Sequence, residues 1–145
     1  MAWTLQSIDI TAAFLQGGQL LREVFLRPPQ DVCQRTEVWR LKRCIYGLND
    51  APRSWYLRVK EVLLQLGGKI SSYDKALFMW YDENCGLIGI LVIHVDDFAF
   101  CGNKYFEDKV IGSLKNKFKI STHESGSFKN LGLEVVQTVV GVKIS

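Results

Sequence analysis

No stretch of this 145-residue chain carries the roughly 20 consecutive apolar residues of a membrane-spanning helix. Its longest apolar run, Leu87–Val95, falls far short. Met1–Ala2–Trp3–Thr4 holds neither a basic stretch nor an apolar core, so no secretory signal is read there. A soluble, intracellular chain is expected. The four cysteines, Cys33, Cys44, Cys85 and Cys101, are widely spaced, with no C-x-x-C and no histidine at ligand spacing. That argues against zinc and for reduced, mostly buried thiols. Internal repeats, low-complexity tracts and convincing linkers are also missing.

What is present fits one globular domain. Hydrophobic residues make up 48% and charged residues 23% of the sequence, ordinary values for a folded chain. The net charge of +3 permits a nucleic-acid partner without requiring one.

The most informative stretch is Leu87–Gly102. Leu87, Ile88, Ile90, Leu91, Val92, Ile93 and Val95 read as a strand buried on both faces. The run stops at Asp96–Asp97, and Phe98–Ala99–Phe100–Cys101 returns. This predicts a β-hairpin with two acids at its tip. Carboxylates beside so much apolar surface must be paired, hydrated or bound to metal. Asp is also a common turn residue, and a solvated Asp–Asp tip needs no function.

Elsewhere, Trp3–Ile10 alternates as a strand with Asp9 near its end, and Thr11–Gln16 makes a compact apolar turn. Arg22–Arg27 and Val38–Leu41 predict short strands on either side of a polar loop, Pro28–Glu37. Asn49 or Asp50 is placed to cap a helix with Pro52 in its first turn. Trp55, Val59, Val62, Leu63 and Leu66 form its buried stripe, and Gly67–Gly68 ends it. Ala76–Tyr81 predicts an aromatic strand. Asn103 is expected to cap a second helix whose inner face is Phe106, Val110, Ile111, Leu114 and Phe118. Phe128–Val136 and Val139–Ile144, joined through Gln137–Thr138, read as a last pair of strands. The order predicts an α+β domain, helices packed on one face of an antiparallel sheet.

If the strands ending at Asp9 and at Asp96–Asp97 are neighbours, three carboxylates converge at one sheet edge. Hard cations such as Mg²⁺ take oxygen ligands. Two of them can activate a hydroxyl and stabilise the leaving oxygen of a phosphoryl transfer.

Several motifs then occur in a telling order. They are Ser7–Gly17 (SIDITAAFLQG), Arg40–Tyr56 (RLKRCIYGLNDAPRSWY), His94–Asp97 (HVDD) and Phe128–Val135 (FKNLGLEV). Together, over nearly the whole chain, they resemble the reverse transcriptase of copia-type LTR retrotransposons. The resemblance implies a polymerase palm with a catalytic β-hairpin, adding deoxynucleotides to a primer 3′-hydroxyl by a two-metal mechanism. It implies Asp9, Asp96 and Asp97 as catalytic residues and ligands of Mg²⁺ or Mn²⁺, with Asp9 and Asp96 the principal ligands. It sets Phe14 beneath the incoming sugar, although plain core packing remains its bland reading. Tyr46 and Gly47 would lie against nucleotide and template, and Pro52, Arg53 and Trp55 would start the helix behind them. Implied partners are an RNA or DNA template with primer and deoxynucleoside triphosphates, with no membrane, in cytoplasm, virus-like particle or nucleus. Arg40, Lys42, Arg43 and Arg53 are available to meet template phosphates, without assignment of any one.

Two positions depart from the family pattern. His94 stands where the family has Tyr or Phe, and Asp50 where it most often has Gln, adding charge near a site for polyanions. Residues 1–145 are expected to be a partial domain, a palm with little of the fingers and no thumb or RNase H. The alternative expectation is an inactive retroelement remnant that binds nucleic acid or a protein partner.

Overall fold

The structure is a computed structural model that describes residues 3–29, 31–32 and 37–145. The first strand, β1 (Gln6–Ile10), runs into a 3₁₀ turn at Ala13–Gln16, where the apolar turn was expected. The short strands β2 (Phe25–Leu26) and β3 (Trp39–Arg40) pair with each other as an antiparallel ribbon. Cys33 and part of the polar loop lie outside the described residues.

The helix α1 (Ala51–Gln65) follows, with Pro52 in its first turn. Trp55, Val59, Val62 and Leu63 are buried along it, while Leu66, just beyond its end, is only partly covered. Gly67 has φ 84°. It takes the left-handed conformation that stops a helix at little cost. Asp50 sits at the N-cap position but makes no capping hydrogen bond. Its carboxylate is taken instead by Arg22, through two contacts of 3.0 Å.

The main sheet is completed by β4 (Lys69–Ile70), β5 (Leu77–Tyr81), β6 (Leu87–His94), β7 (Asp97–Gly102) and β8 (Ile120–Ser125). Its order is β4-β5-β6-β7-β1-β8, with every neighbour antiparallel. Between β7 and β8 the chain is helical, as α2 (Lys104–Phe106), a π-helical turn (Glu107–Ile111) and α3 (Gly112–Lys117). The Asn103 side chain accepts the Phe106 amide at 2.9 Å, the expected cap. A three-stranded sheet, β9 (Ser127–Asn130), β10 (Leu133–Thr138) and β11 (Gly141–Ile144), closes the chain.

Both helical segments pack on one sheet face. Trp55 stacks on Phe98 at 6.5 Å and meets Phe118 edge-on at 5.0 Å. Phe106 lies against Trp80 at 5.1 Å and Phe100 at 6.4 Å. It seats over Gly89 and Gly102, which pair across β6 and β7. This α+β architecture agrees with expectation.

Three expectations are corrected. The Leu87–Val95 run is not buried on both faces. Its burial alternates, with Leu91 and Ile93 in the core and Val92 39% exposed. Among the described residues helices cover only one face, so the apolar residues of the other are open. Phe128–Val136 is not one strand, because Leu131 and Gly132 both adopt positive φ and turn the chain between β9 and β10. The thiols are not mostly buried. Among the described residues Cys44 is buried, Cys85 lies exposed in a tight turn, and Cys101 is partly covered on the open sheet face.

Candidate functional site

The site is built where β1 meets the β6–β7 hairpin. His94 pairs with Asp97, so Val95–Asp96 is a two-residue turn. Val95 has φ 51°. A β-branched residue in that region is strained, because turns with positive φ at the first central position favour glycine. Two bonds from outside the hairpin hold the tip. The Trp55 indole N–H donates to the Val95 carbonyl at 2.5 Å, and the Ile10 amide donates to the Asp96 carbonyl at 2.9 Å. The core helix and the first strand therefore fix the backbone that carries the acids.

Asp9 pairs directly with Asp97 across β1 and β7. Directly opposed residues of an antiparallel pair have Cβ atoms roughly 4.5–5.5 Å apart, and like charges there destabilise the sheet. The Asp97 carboxyl titrates above the ordinary aspartate value. Partial burial is the main cause, followed by the charges of Asp96 and Asp9, with His94 opposing. Among the described residues none of these three acids forms a salt bridge.

Asp96 is touched from the other side. The Tyr46 hydroxyl donates to Asp96 Oδ2 at 3.3 Å, and the Tyr46 ring lies 4.4 Å from that of Phe14. Burial, and then the Asp96 charge, push the Tyr46 hydroxyl above the usual tyrosine range. Phe14 is buried at 6% exposure, within the core, whereas Tyr46 is 58% exposed. Phe14 therefore packs in the core, and the exposed ring beside it is that of Tyr46. Gly47 follows with φ 96°, the left-handed conformation that makes glycine fit this turn.

The structure therefore gathers Asp9, Asp96, Asp97, Tyr46 and Phe14 into one contiguous group, with Gly47 next to Tyr46 in its turn. It also ties up several nearby charges. Arg22 pairs with Asp50 and holds that carboxyl below the usual carboxylate range, so Asp50 does not stand as an unpaired anion. Arg40 pairs with Glu23 at 3.1 Å, and Arg43 donates to the Leu15 carbonyl at 3.2 Å. His94 is exposed beside the tip.

Sequence reasoning missed two contributors. Trp55, read as core and helix start, also clamps the hairpin tip. Ser121, on the unforeseen strand β8, donates to an Asp9 carboxylate oxygen. No sequence signal marks it, because its approach depends on strand register.

Among the described residues no three His, Cys, Asp or Glu side chains are arranged as a ready metal cage. The donor set nevertheless suits a hard divalent cation. It offers the carboxylates of Asp9, Asp96 and Asp97, of which Asp9 and Asp97 are ladder partners, and among the described residues none is paired with a cation. Mg²⁺ is commonly bound through one or two carboxylates together with water and substrate phosphates, and does not need an all-protein cage.

Comparison with known proteins gives a consistent picture. A family model described as reverse transcriptase (RNA-dependent DNA polymerase) matches residues 1–145. The chain is 31% identical over 148 residues to the retrovirus-related Pol polyprotein from transposon RE2 of Arabidopsis thaliana, covering 99% of this chain and 10% of that protein. It is 28% identical to the corresponding polyprotein from transposon RE1 of the same plant, with coverage of 99% and 10%. To that from transposon TNT 1-94 of Nicotiana tabacum it is 30% identical over 144 residues, covering 97% of this chain and 10% of the relative. The chain thus spans about a tenth of the length of the curated relatives it matches. No solved structure matches it.

Proposed function

Because the chain belongs to the reverse transcriptase family found in copia-type retrotransposon Pol polyproteins, we propose that it is the carboxylate-bearing palm of an RNA-directed DNA polymerase. In this reading β6–β7 is the catalytic hairpin, and the substrates are a primed RNA or DNA template and deoxynucleoside triphosphates. The observation that carries it is the pairing of Asp9 with Asp97, beside Asp96 at a tip fixed from two sides. Asp9 and Asp96 would hold Mg²⁺, or Mn²⁺ in its place, with Asp97 alongside. Two such ions would supply Lewis-acid stabilisation of the attacking and leaving oxygens of nucleotidyl transfer.

The protein's own part is placement. Trp55 and Ile10 hold the tip backbone, and Tyr46 anchors one oxygen of Asp96. Tyr46, exposed above Phe14, is the first ring an incoming sugar and base would meet. Phe14 supports it from below, and a direct Phe14–sugar contact requires Tyr46 to turn aside.

A second reading is favoured by one observation. Arg22 and Arg40 are engaged by Asp50 and Glu23, which leaves fewer cations for phosphates, the main source of nucleic-acid affinity. On that reading the chain is a catalytically silent remnant that binds nucleic acid weakly or docks a partner.

Primer extension on poly(rA)–oligo(dT) with dTTP and Mg²⁺ or Mn²⁺ separates the two. The chain is run beside its Asp96→Asn, Asp97→Asn double variant. Extension that disappears in the variant supports the polymerase. No extension from a chain shown by circular dichroism to be folded supports the remnant.

A further inference from the structure

The β1–β8 ladder is irregular at its most important point. Asp9 pairs with Thr122 and Ile10 with Ile120, so Ser121 is an extra residue with no partner across the ladder. A β-bulge of this kind re-aims a side chain, and bulges are over-represented beside active sites. Here the re-aimed group is the Ser121 hydroxyl. It donates to Asp9 Oδ2 and lies 3.2 Å from the Asp9 carbonyl oxygen.

The bulge is pinned on both sides. Ahead of it, Gln16 brackets Lys119, donating to its carbonyl at 3.1 Å and accepting its amide at 2.7 Å. The Thr11 amide also reaches the Lys119 carbonyl at 2.9 Å. After it, Thr122 through Ser125 pair with Asp9 through Gln6. Apolar burial contributes little on β8, where only Ile120 is partly covered. Hydrogen bonding places this hydroxyl.

We infer that Ser121 is a positioning residue for Asp9. Its hydroxyl holds Oδ2 toward β8 and leaves Oδ1 as the oxygen that takes a divalent cation. The inference rests on the polymerase reading, in which Asp9 is a metal ligand. Hydrogen-bond partners of metal-binding carboxylates act as outer-shell anchors, and losing one typically weakens metal binding by roughly 10–100-fold. Ser121 is solvent-exposed, so water replaces part of its bond and the effect belongs at the lower end.

The test is a Mn²⁺ titration of the 145-residue chain, with free ion followed by electron paramagnetic resonance. Ser121→Ala, Ser121→Thr and Asp9→Asn are run alongside, each with its urea midpoint. Asp9→Asn is expected to abolish binding at the site, and Ser121→Ala to weaken it about 10-fold. Ser121→Thr keeps the hydroxyl on a residue suited to a strand and is expected to bind like the unaltered chain. A purely structural role would move the urea midpoint of Ser121→Ala and leave Mn²⁺ affinity alone. That result, with Asp9→Asn still defective, overturns the Ser121 inference and leaves the polymerase reading standing. Equal weakening in Ala and Thr variants also overturns it, because the hydroxyl would then not be the cause. If Asp9→Asn binds Mn²⁺ as well as the unaltered chain, or the unaltered chain binds none, the metal role of Asp9 falls and the inference with it.

Discussion

The indole N–H of Trp55 donates to the carbonyl of Val95 at 2.5 Å, joining the middle of the core to the exposed tip that carries Asp96. Val95 is held at φ 51°, a conformation that costs a β-branched residue free energy. The bond helps to maintain that strain. Trp55→Phe keeps an aromatic ring against Phe98 and Phe118 but removes the donor. It is expected to lose about 1 kcal/mol for the hydrogen bond, and more where the smaller ring leaves a cavity in the core. Urea denaturation measures the loss. Placing Val95→Gly in the same background should return part of it, because glycine adopts positive φ freely.

Asp9 and Asp97 face each other across two strands, with Asp96 adjacent. In the metal-free chain this crowding works against folding. Asp97→Asn removes one charge with little change in shape and is expected to stabilise the chain at pH 7 by a few tenths to about 1 kcal/mol. The sign follows from its raised folded-state pKa. An acid of that kind stabilises the fold below its unfolded pKa and loses the contribution as pH rises through the folded value. The gain from Asn is therefore expected at neutral pH and should fade near pH 3. A chemical denaturation series across that range reads it, and a stability loss at pH 7 would contradict the crowding argument.

The placement of these acids was largely legible in the sequence. Asp9 and Asp96–Asp97 each end an apolar strand, and charge that interrupts such strands stands out against the pattern. The two helical stripes were legible for the same reason, since Trp55, Val59, Val62 and Leu63 can share a face only in a helix. β8 was not legible. Ile120–Ser125 offers one apolar residue to a pattern search, and hydrogen bonds to Gln6 from His123 and to Gln16 from the adjoining Lys119 hold the segment in place of burial. Leu87–Val95 misled in the opposite sense, because apolar residues on an open sheet face look the same in sequence as residues covered on both sides. Ser121 was out of reach altogether. Its role depends on a one-residue bulge, which composition and periodicity do not encode.

Phe106 occupies the space left by two glycines. A Cβ at Gly89 would stand 2.3 Å from its ring, and one at Gly102 would meet the ring at 2.3 Å and the Ile88 carbonyl at 2.8 Å. Gly89→Ala is expected to cost about 1–3 kcal/mol, the usual penalty of overpacking a filled core. Phe106→Leu should lose stability by itself, yet relieve part of the Gly89→Ala penalty when the two are combined. A thermal denaturation double-mutant cycle tests this, with strictly additive losses counting against the seating described.

The strand that carries Ser121 is tied to β1 by a directional chain of side chains. The Lys115 ammonium can only donate, so at 2.9 Å it makes His123 Nδ1 the acceptor and leaves the ring proton on Nε2. His123 Nε2 then donates to Gln6 Oε1 at 2.8 Å, and Gln6 Nε2 donates to Glu107 Oε1 at 2.7 Å. A second proton on the imidazole would point Nδ1–H at Lys115. Burial, and then the Lys115 charge, accordingly lower the His123 pKa, with Glu107 opposing. A base depressed in the folded state favours folding above its unfolded pKa of about 6.5, and the contribution is lost as pH falls through the lower folded value. His123→Gln cannot take up a proton there. Between pH 7.5 and 5 the unaltered chain should therefore lose more of its urea midpoint than His123→Gln does. Equal losses would mean that other groups govern the acid response. If β8 holds Ser121 against Asp9 as inferred, Mn²⁺ affinity in the unaltered chain should weaken over the same interval more steeply than in His123→Gln.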